Sequence, residues 1–298
     1  MNTRRLTEVL AGKLMLSATV VLTLITLAIA LGLLQRSIPI LTTQPLSDLL
    51  FSSSWHPWEG KFGFYPFIMG TIWVTLLAMI LSAPPGLLTA VYLSEYSVGK
   101  VRAVVKPMID LLAAIPSVVY GLWGVLIVVP FIRDYLAPRV GVTTTGYTVL
   151  AGGTVLAIMV LPIIVAISEE VIRAVPQDVR EASFALGATK WQTVRHVVLR
   201  QGLPGMIVAV TLGFGRAFGE TMAVLMVAGN VAKIPSSLFD PAYPIPALIA
   251  NNYGEMMSIP MYDSALMLAA FLLLLVVLAF SLVAAVVLAR IRRSYSIG

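Results

Sequence analysis

Residues 181–200 read EASFALGATKWQTVRHVVLR, a charged stretch between two runs, 147–168 and 205–229, that are each long enough to cross a bilayer. A segment so flanked sits in water between two membrane spans. It carries its own helix punctuation. Pro176 suits a first helical position, and Gly187 suits the left-handed residue that ends a helix. Thr189 and Gln192 have the spacing of a capping box, which starts a second helix at once. On that helix Trp191, Val194, Val197 and Val198 share one face, while Lys190, Arg195 and Arg200 lie off it. A water-exposed stripe of this kind calls for a partner. The competing reading is an amphipathic loop resting on lipid headgroups.

Composition agrees with a membrane setting. Hydrophobic residues make up 59% of the 298 residues and charged ones 11%, with mean hydropathy +0.94. Soluble domains carry about a quarter charged residues. Six runs are long enough to span: 14–34, 67–93, 111–132, 147–168, 205–229 and 265–289. The first exceeds the apolar core of a secretory signal and is expected to remain as a helix. The expected fold class is therefore all-α, a polytopic membrane protein of six transmembrane helices.

Lys and Arg set the orientation. The amino-terminal segment, the second and fourth connections and the tail hold fourteen of them, against five in the other three connections. Both termini and the 181–200 segment are thus expected in the cytoplasm. The basic pI, near 9.7, is a topology signal; no compact basic domain supports nucleic-acid binding. Cysteine is absent, which excludes thiol chemistry.

Three regions are expected: 1–66, an anchor helix with its outer connection; 67–290, a core of five helices with a cytoplasmic loop at 169–203; and 291–298, a cytoplasmic tail. The long connection 36–66, with SSSWHPW and FGFYP, reads as a segment at the membrane surface. The connection 228–263, rich in proline, reads as a broken helix dipping into the membrane. Pro84-Pro85-Gly86, Pro116 and Pro162 are expected to break or kink their spans. Gly213, Gly215 and Gly219 are expected to pack closely around a path.

The fifth run contains FGRAFGETMAV, with Arg216 and Glu220 one helical turn apart and so expected on the same face. A charge within the membrane is costly unless it meets water or a partner, which makes the pair a functional-site candidate. The alternative is a structural ion bridge to a neighbouring helix. Arginine offers planar donors suited to an oxyanion. A carboxylate beside it accepts from a protonated oxygen, which hydrogen phosphate has and sulfate lacks.

These motifs carry a resemblance. Glu181, Ala182, Ser183 and Gly187, with Val197 and Leu199 further on, resemble the EAA loop of ATP-binding-cassette importer permeases, with Ser for the second Ala and Arg200 in place of a proline. RAFGETMAV with the following VAGN, together with LTAVYLSEY, LLAAIPSVVYGLWG and IMVLPIIVAISEEVIRAVP, is similar to the permease subunits of phosphate-specific importers. The M-A-V continuation separates it from the PstA-like sister, which shares the R-A-x-G-E-T core. The resemblance implies a type I ABC importer permease fold in a prokaryotic cytoplasmic (inner) membrane. It implies pairing with a PstA-like permease subunit, docking of an ATPase dimer on the coupling loops, and delivery of phosphate by an external phosphate-binding protein. Arg216, Glu220 and Thr221 become pathway residues. Glu181, Ala182 and Gly187, with the exposed Trp191, become the coupling contact. No cofactor is implied in this chain; ATP and Mg would be bound by the partner ATPase.

Rival classes fare worse. A membrane enzyme needs a nucleophile, base or metal cluster, and the only histidines, His56 and His196, lie in an outer connection and in the coupling loop. Glu169 and Glu170 are adjacent and do not face each other on a helix. An ion-gradient-driven transporter would explain the helices and the charged pair but not the coupling loop. No G-x-x-x-x-G-K-[ST] occurs, so energy has to come from a partner or a gradient. A PstA-like sister or a permease for another oxyanion remains open at this stage.

Overall fold

The structure, a computed structural model, describes residues 3–256 and 258–295; the expected tail residues 296–298 lie outside the described residues. Among the described residues, six helices are long and apolar enough to cross a membrane. They are α1 (Thr3–Thr43), α3 (Tyr65–Tyr96), α5 (Ser117–Arg139), α6 (Val149–Arg173), α8 (Lys190–Gly219) and α11 (Tyr262–Tyr295). Shorter helices complete the chain: α2 (Leu46–Phe51), α4 (Gly99–Ala114), α7 (Gln177–Ala185), α9 (Met222–Val227) and α10 (Ile245–Asn252).

The centre of the bundle is α3 laid along α6, with α8 packed against both. Val74 and Ala78 of α3, Leu156, Val160 and Ile164 of α6, and Ala217 of α8 form one buried cluster. Close approach requires a missing side chain at Gly213, where a Cβ would lie 2.9 Å from Ile164 Cγ1. Gly215 and Gly219 differ from expectation: a Cβ at either would meet nothing within 4 Å, so they face open space. Helix α1 packs chiefly on α11, which also packs on α8 and α10, and the most apolar stretches of α1 and α11 bury no residue within the chain.

Several boundaries move. Pro84 and Pro85 leave α3 unbroken, and Pro162 leaves α6 unbroken; membrane helices accommodate proline because neighbouring groups satisfy the freed carbonyls. Pro116 does stop its helix. Ile115 before it is extended (φ −65°, ψ 130°), as the proline ring dictates, so the expected run 111–132 divides into the end of α4 and a span that begins at Ser117. The expected run 205–229 divides as well. Its helix begins at Lys190, ends at Gly219, and resumes as α9.

The outer connection 36–66 is built more firmly than a surface strap. Trp55–His56 (β1) and Lys61–Phe62 (β2) pair antiparallel across a turn in which Gly60 has φ +71°. Phe62 and Phe64, with Leu49 and Ile40, join Phe67, Tyr243 and Leu248 in a buried cluster that also takes in the base of α11. Alternation over two-residue strands is too short a signal to read from sequence. In the connection 228–263, α10 is the expected helical interruption, with Ala247 and Leu248 fully buried.

Candidate functional site

Span five presents two faces. Ala209, Gly213 and Ala217 are buried against the bundle, whereas Val208 (37% exposed), Leu212 (52%), Arg216 and Gly219 form a strip that this chain leaves uncovered. Arg216 occupies the last turn of α8, where the helix dipole favours a cation.

Glu220 does not pair with Arg216: the helix expected to carry both residues ends at Gly219, one residue before it. The residue is extended (φ −70°, ψ 127°) and terminates α8. Among the described residues no ion pair joins it to Arg216. Its carboxylate turns to the next helix instead, where Oε1 accepts from Thr221 N at 3.2 Å and from Ala223 N at 3.5 Å. Glu220 therefore caps α9, satisfying amides that the helix start leaves free. The Thr221 hydroxyl donates to Gly219 O at 3.3 Å across the break. The four-residue spacing implied one face only for an unbroken helix. The break places Arg216 and Glu220 on the two sides of a junction.

Beyond α9 the GN pair reverses the chain. Gly229 (φ +94°) and Asn230 (φ +51°) are both left-handed, and a Cβ at Gly229 would stand 2.8 Å from Pro241 Cβ and 2.9 Å from Tyr147 O. Asn230 Nδ2 donates to Leu225 O at 2.7 Å and so closes the end of α9.

The coupling segment forms as its punctuation dictates, with one shift: Pro176 is the cap residue rather than the first helical one. Gly187 has φ +81°. The Gly187 amide donates to Phe184 O (2.9 Å) and the Ala188 amide to Ser183 O (3.2 Å), which closes the end of α7. Thr189 then begins α8 with a complete capping box: Gln192 N donates to Thr189 Oγ1 (3.3 Å) and Thr189 N to Gln192 Oε1 (2.8 Å).

The exposed apolar stripe is only partly the one expected. Val194 and Val198 are buried inside the chain, because the second helix is the start of span five rather than a free surface helix. The apolar groups left outside are Phe184 (44% exposed), Leu186 (89%) and Trp191 (56%), beside the exposed Glu181 and Ala182. Ser183, the departure from the second Ala, shares a 2.9 Å hydrogen bond with the Thr193 hydroxyl that ties α7 to α8.

Sequence reading missed two ion pairs on the same side. Arg180 of α7 reaches Glu95 Oε1 at the end of α3, 2.9 Å away, and donates to the carbonyls of Ile172 (2.9 Å) and Val175 (2.7 Å). Arg102 Nε of α4 forms an ion pair at 2.6 Å with Glu169 Oε1 of α6, a carboxylate almost wholly buried. The partners are far apart in sequence, 85 residues for the first pair, so no local spacing signals them.

Among the described residues, a bundle of six membrane-length helices with a strip of span five left uncovered around Arg216 is an architecture suited to a membrane transport subunit. The chain belongs to the family of binding-protein-dependent transport system inner membrane components, whose profile matches residues 82–294. It is a multi-pass inner membrane protein. Among its relatives, it is 38% identical over 296 residues to the phosphate transport system permease protein PstC of Xylella fastidiosa (strain 9a5c), an alignment covering 94% of this chain and 90% of that one. It is 41% identical over 210 residues to the probable ABC transporter permease protein YqgH of Bacillus subtilis (strain 168), covering 70% of this chain and 66% of that one. A solved bacterial ABC transporter involved in import of the acidic polysaccharide alginate shares the fold, with TM-score 0.63 at 17% identity over 96% of this chain and 99% of that one.

Proposed function

We propose that the chain is the permease subunit of an ATP-driven importer that moves inorganic phosphate across the inner membrane. A PstA-like permease would complete the pathway and an external phosphate-binding protein would deliver substrate. Paired ATPase subunits, binding ATP and Mg, would dock on Glu181, Ala182, Phe184, Leu186 and Trp191. Both termini would face the cytoplasm, on the ATPase side. The similarity to PstC proteins supports the substrate, and the exposed coupling residues support the docking.

The observation that carries the reading is Arg216, a guanidinium on the uncovered strip of span five in the last turn before the helix breaks. Its donors suit a phosphate oxygen. Glu220 serves from the other side of the junction. Both of its recorded amide bonds use Oε1, so Oε2 remains an acceptor for the proton that hydrogen phosphate carries. Uptake of labelled phosphate, measured with assembled abundance, tests this. Arg216→Gln is expected to assemble normally and lose uptake about tenfold or more, the value of a charged hydrogen bond. Glu220→Gln should keep the cap, since an amide oxygen still accepts, and should admit sulfate, since an amide also donates. Unchanged uptake in Arg216→Gln removes it from the pathway.

A further inference from the structure

The coupling helix α7 is held to the bundle by a contact outside the spans that flank it. Arg180 projects from α7 and divides its guanidinium between two spans. Nη1 donates to Val175 O, and Nη2 donates to Ile172 O and to Glu95 Oε1, so one planar group binds the end of α6 and the end of α3 together. Both side chains of the ion pair are nearly buried, at 13% and 10% exposed, which distinguishes the contact from a surface pair screened by water. A second contact repeats the link one residue further along α3. Lys190, at the start of α8, lies over the Tyr96 ring, 5.0 Å from its centroid. The Ser183–Thr193 hydrogen bond joins α7 to α8, so the segment forms one body with two charged attachments to α3.

The last residues of α3, Tyr92–Tyr96, are wound as a π-helix, a looser turn than the rest of the span. Helix α3 in turn packs along most of α6 at the centre of the bundle. A displacement of α7 would therefore reach the core through Glu95 as well as along the chain through α6 and α8. We propose that Arg180 and Glu95 are positioning residues that transmit movement of the coupling helix to span two. This inference rests on the reading of the chain as an ATP-driven permease. Arg180 touches neither substrate nor ATPase in this account; it acts through Glu95.

The test uses the complete complex reconstituted in proteoliposomes with its ATPase, sister permease and phosphate-loaded binding protein. Uptake per ATP hydrolysed is measured for the parent, Glu95→Gln and Glu95→Ala. Because the chain has no cysteine, spin labels at Val98→Cys, two residues past the end of α3, and Asp178→Cys, both exposed, report the distance from the end of α3 to α7 in the same preparations. Glu95→Ala is expected to retain ATPase association and hydrolysis, to lower uptake per ATP about fivefold or more, and to broaden the distance distribution. Glu95→Gln, which keeps an acceptor oxygen for Arg180, should fall between that variant and the parent. Unchanged uptake per ATP in Glu95→Ala overturns the inference. So does reduced uptake with an unbroadened distribution, and so does loss of ATPase association, which would put Glu95 in the docking surface. If the parent complex moves no phosphate, the functional reading fails instead; the distances still decide whether Glu95 anchors the coupling helix.

Discussion

Arg216 and Glu220 were both legible as chemistry, but their relation was not. Their spacing implied a shared face, and the helix stops at Gly219. The two possible roles of the pair now separate more cleanly than the sequence allowed. Arg216 is exposed, so its removal strands no buried charge, and Glu220 answers to the amides of α9. The double change Arg216→Gln with Glu220→Gln is therefore expected to transport no better than Arg216→Gln alone. Recovery of phosphate uptake in the double variant, at equal abundance, would show that the two are a structural ion bridge after all. Glu169 behaves in the opposite way. Its carboxylate is buried against Arg102, with Arg173 3.9 Å away, and removing it leaves a partly buried Arg102 guanidinium without its close partner, at a cost below the ~3–5 kcal/mol of a fully buried pair. Glu169→Leu should thus reduce assembled abundance, as measured by quantitative immunoblot of detergent-extracted membranes. Normal abundance would mean that water or lipid headgroups reach Arg102.

At the scale of elements, the coupling segment was the most legible part of the chain because its signals are local. Thr189, Gln192 and Gly187 each act within a few residues, and each does in the structure what its position dictates. What the sequence could not show is that the second helix runs on into span five; that continuity buries Val194 and Val198 and leaves Phe184, Leu186 and Trp191 outside. Gly187 is open on all sides, so a side chain there meets no neighbour and the cost of replacing it is backbone strain alone. Gly187→Val should cost about 1–2 kcal/mol locally and swing α7 against α8, leaving the protein inserted but poorly coupled. Co-purification of the ATPase and uptake per ATP read this directly. Wild-type values for both would remove the segment from coupling. The hairpin of β1 and β2 escaped notice for the converse reason: it is held by aromatic packing not only with nearby Phe67 but with Tyr262, a residue distant in sequence.

At the scale of the whole molecule, the six spans follow from hydropathy because a bilayer demands a fixed apolar length, whereas their order of packing depends on contacts that composition does not encode. The orientation rests on Lys and Arg, and it is directly measurable in a chain without cysteine. A cysteine at Ser53 should be labelled by an impermeant maleimide in intact cells and one at Lys190 should not; the reverse pattern would invert the molecule. The central claim is that this bundle carries phosphate with energy supplied by an attached ATPase. Uptake of labelled phosphate into proteoliposomes bearing the full complex, with ATP enclosed and a protonophore present, tests it most directly. Phosphate should accumulate only when ATP is enclosed and continue undiminished when the proton gradient is collapsed; accumulation that needs no ATP and stops with the protonophore would contradict the account.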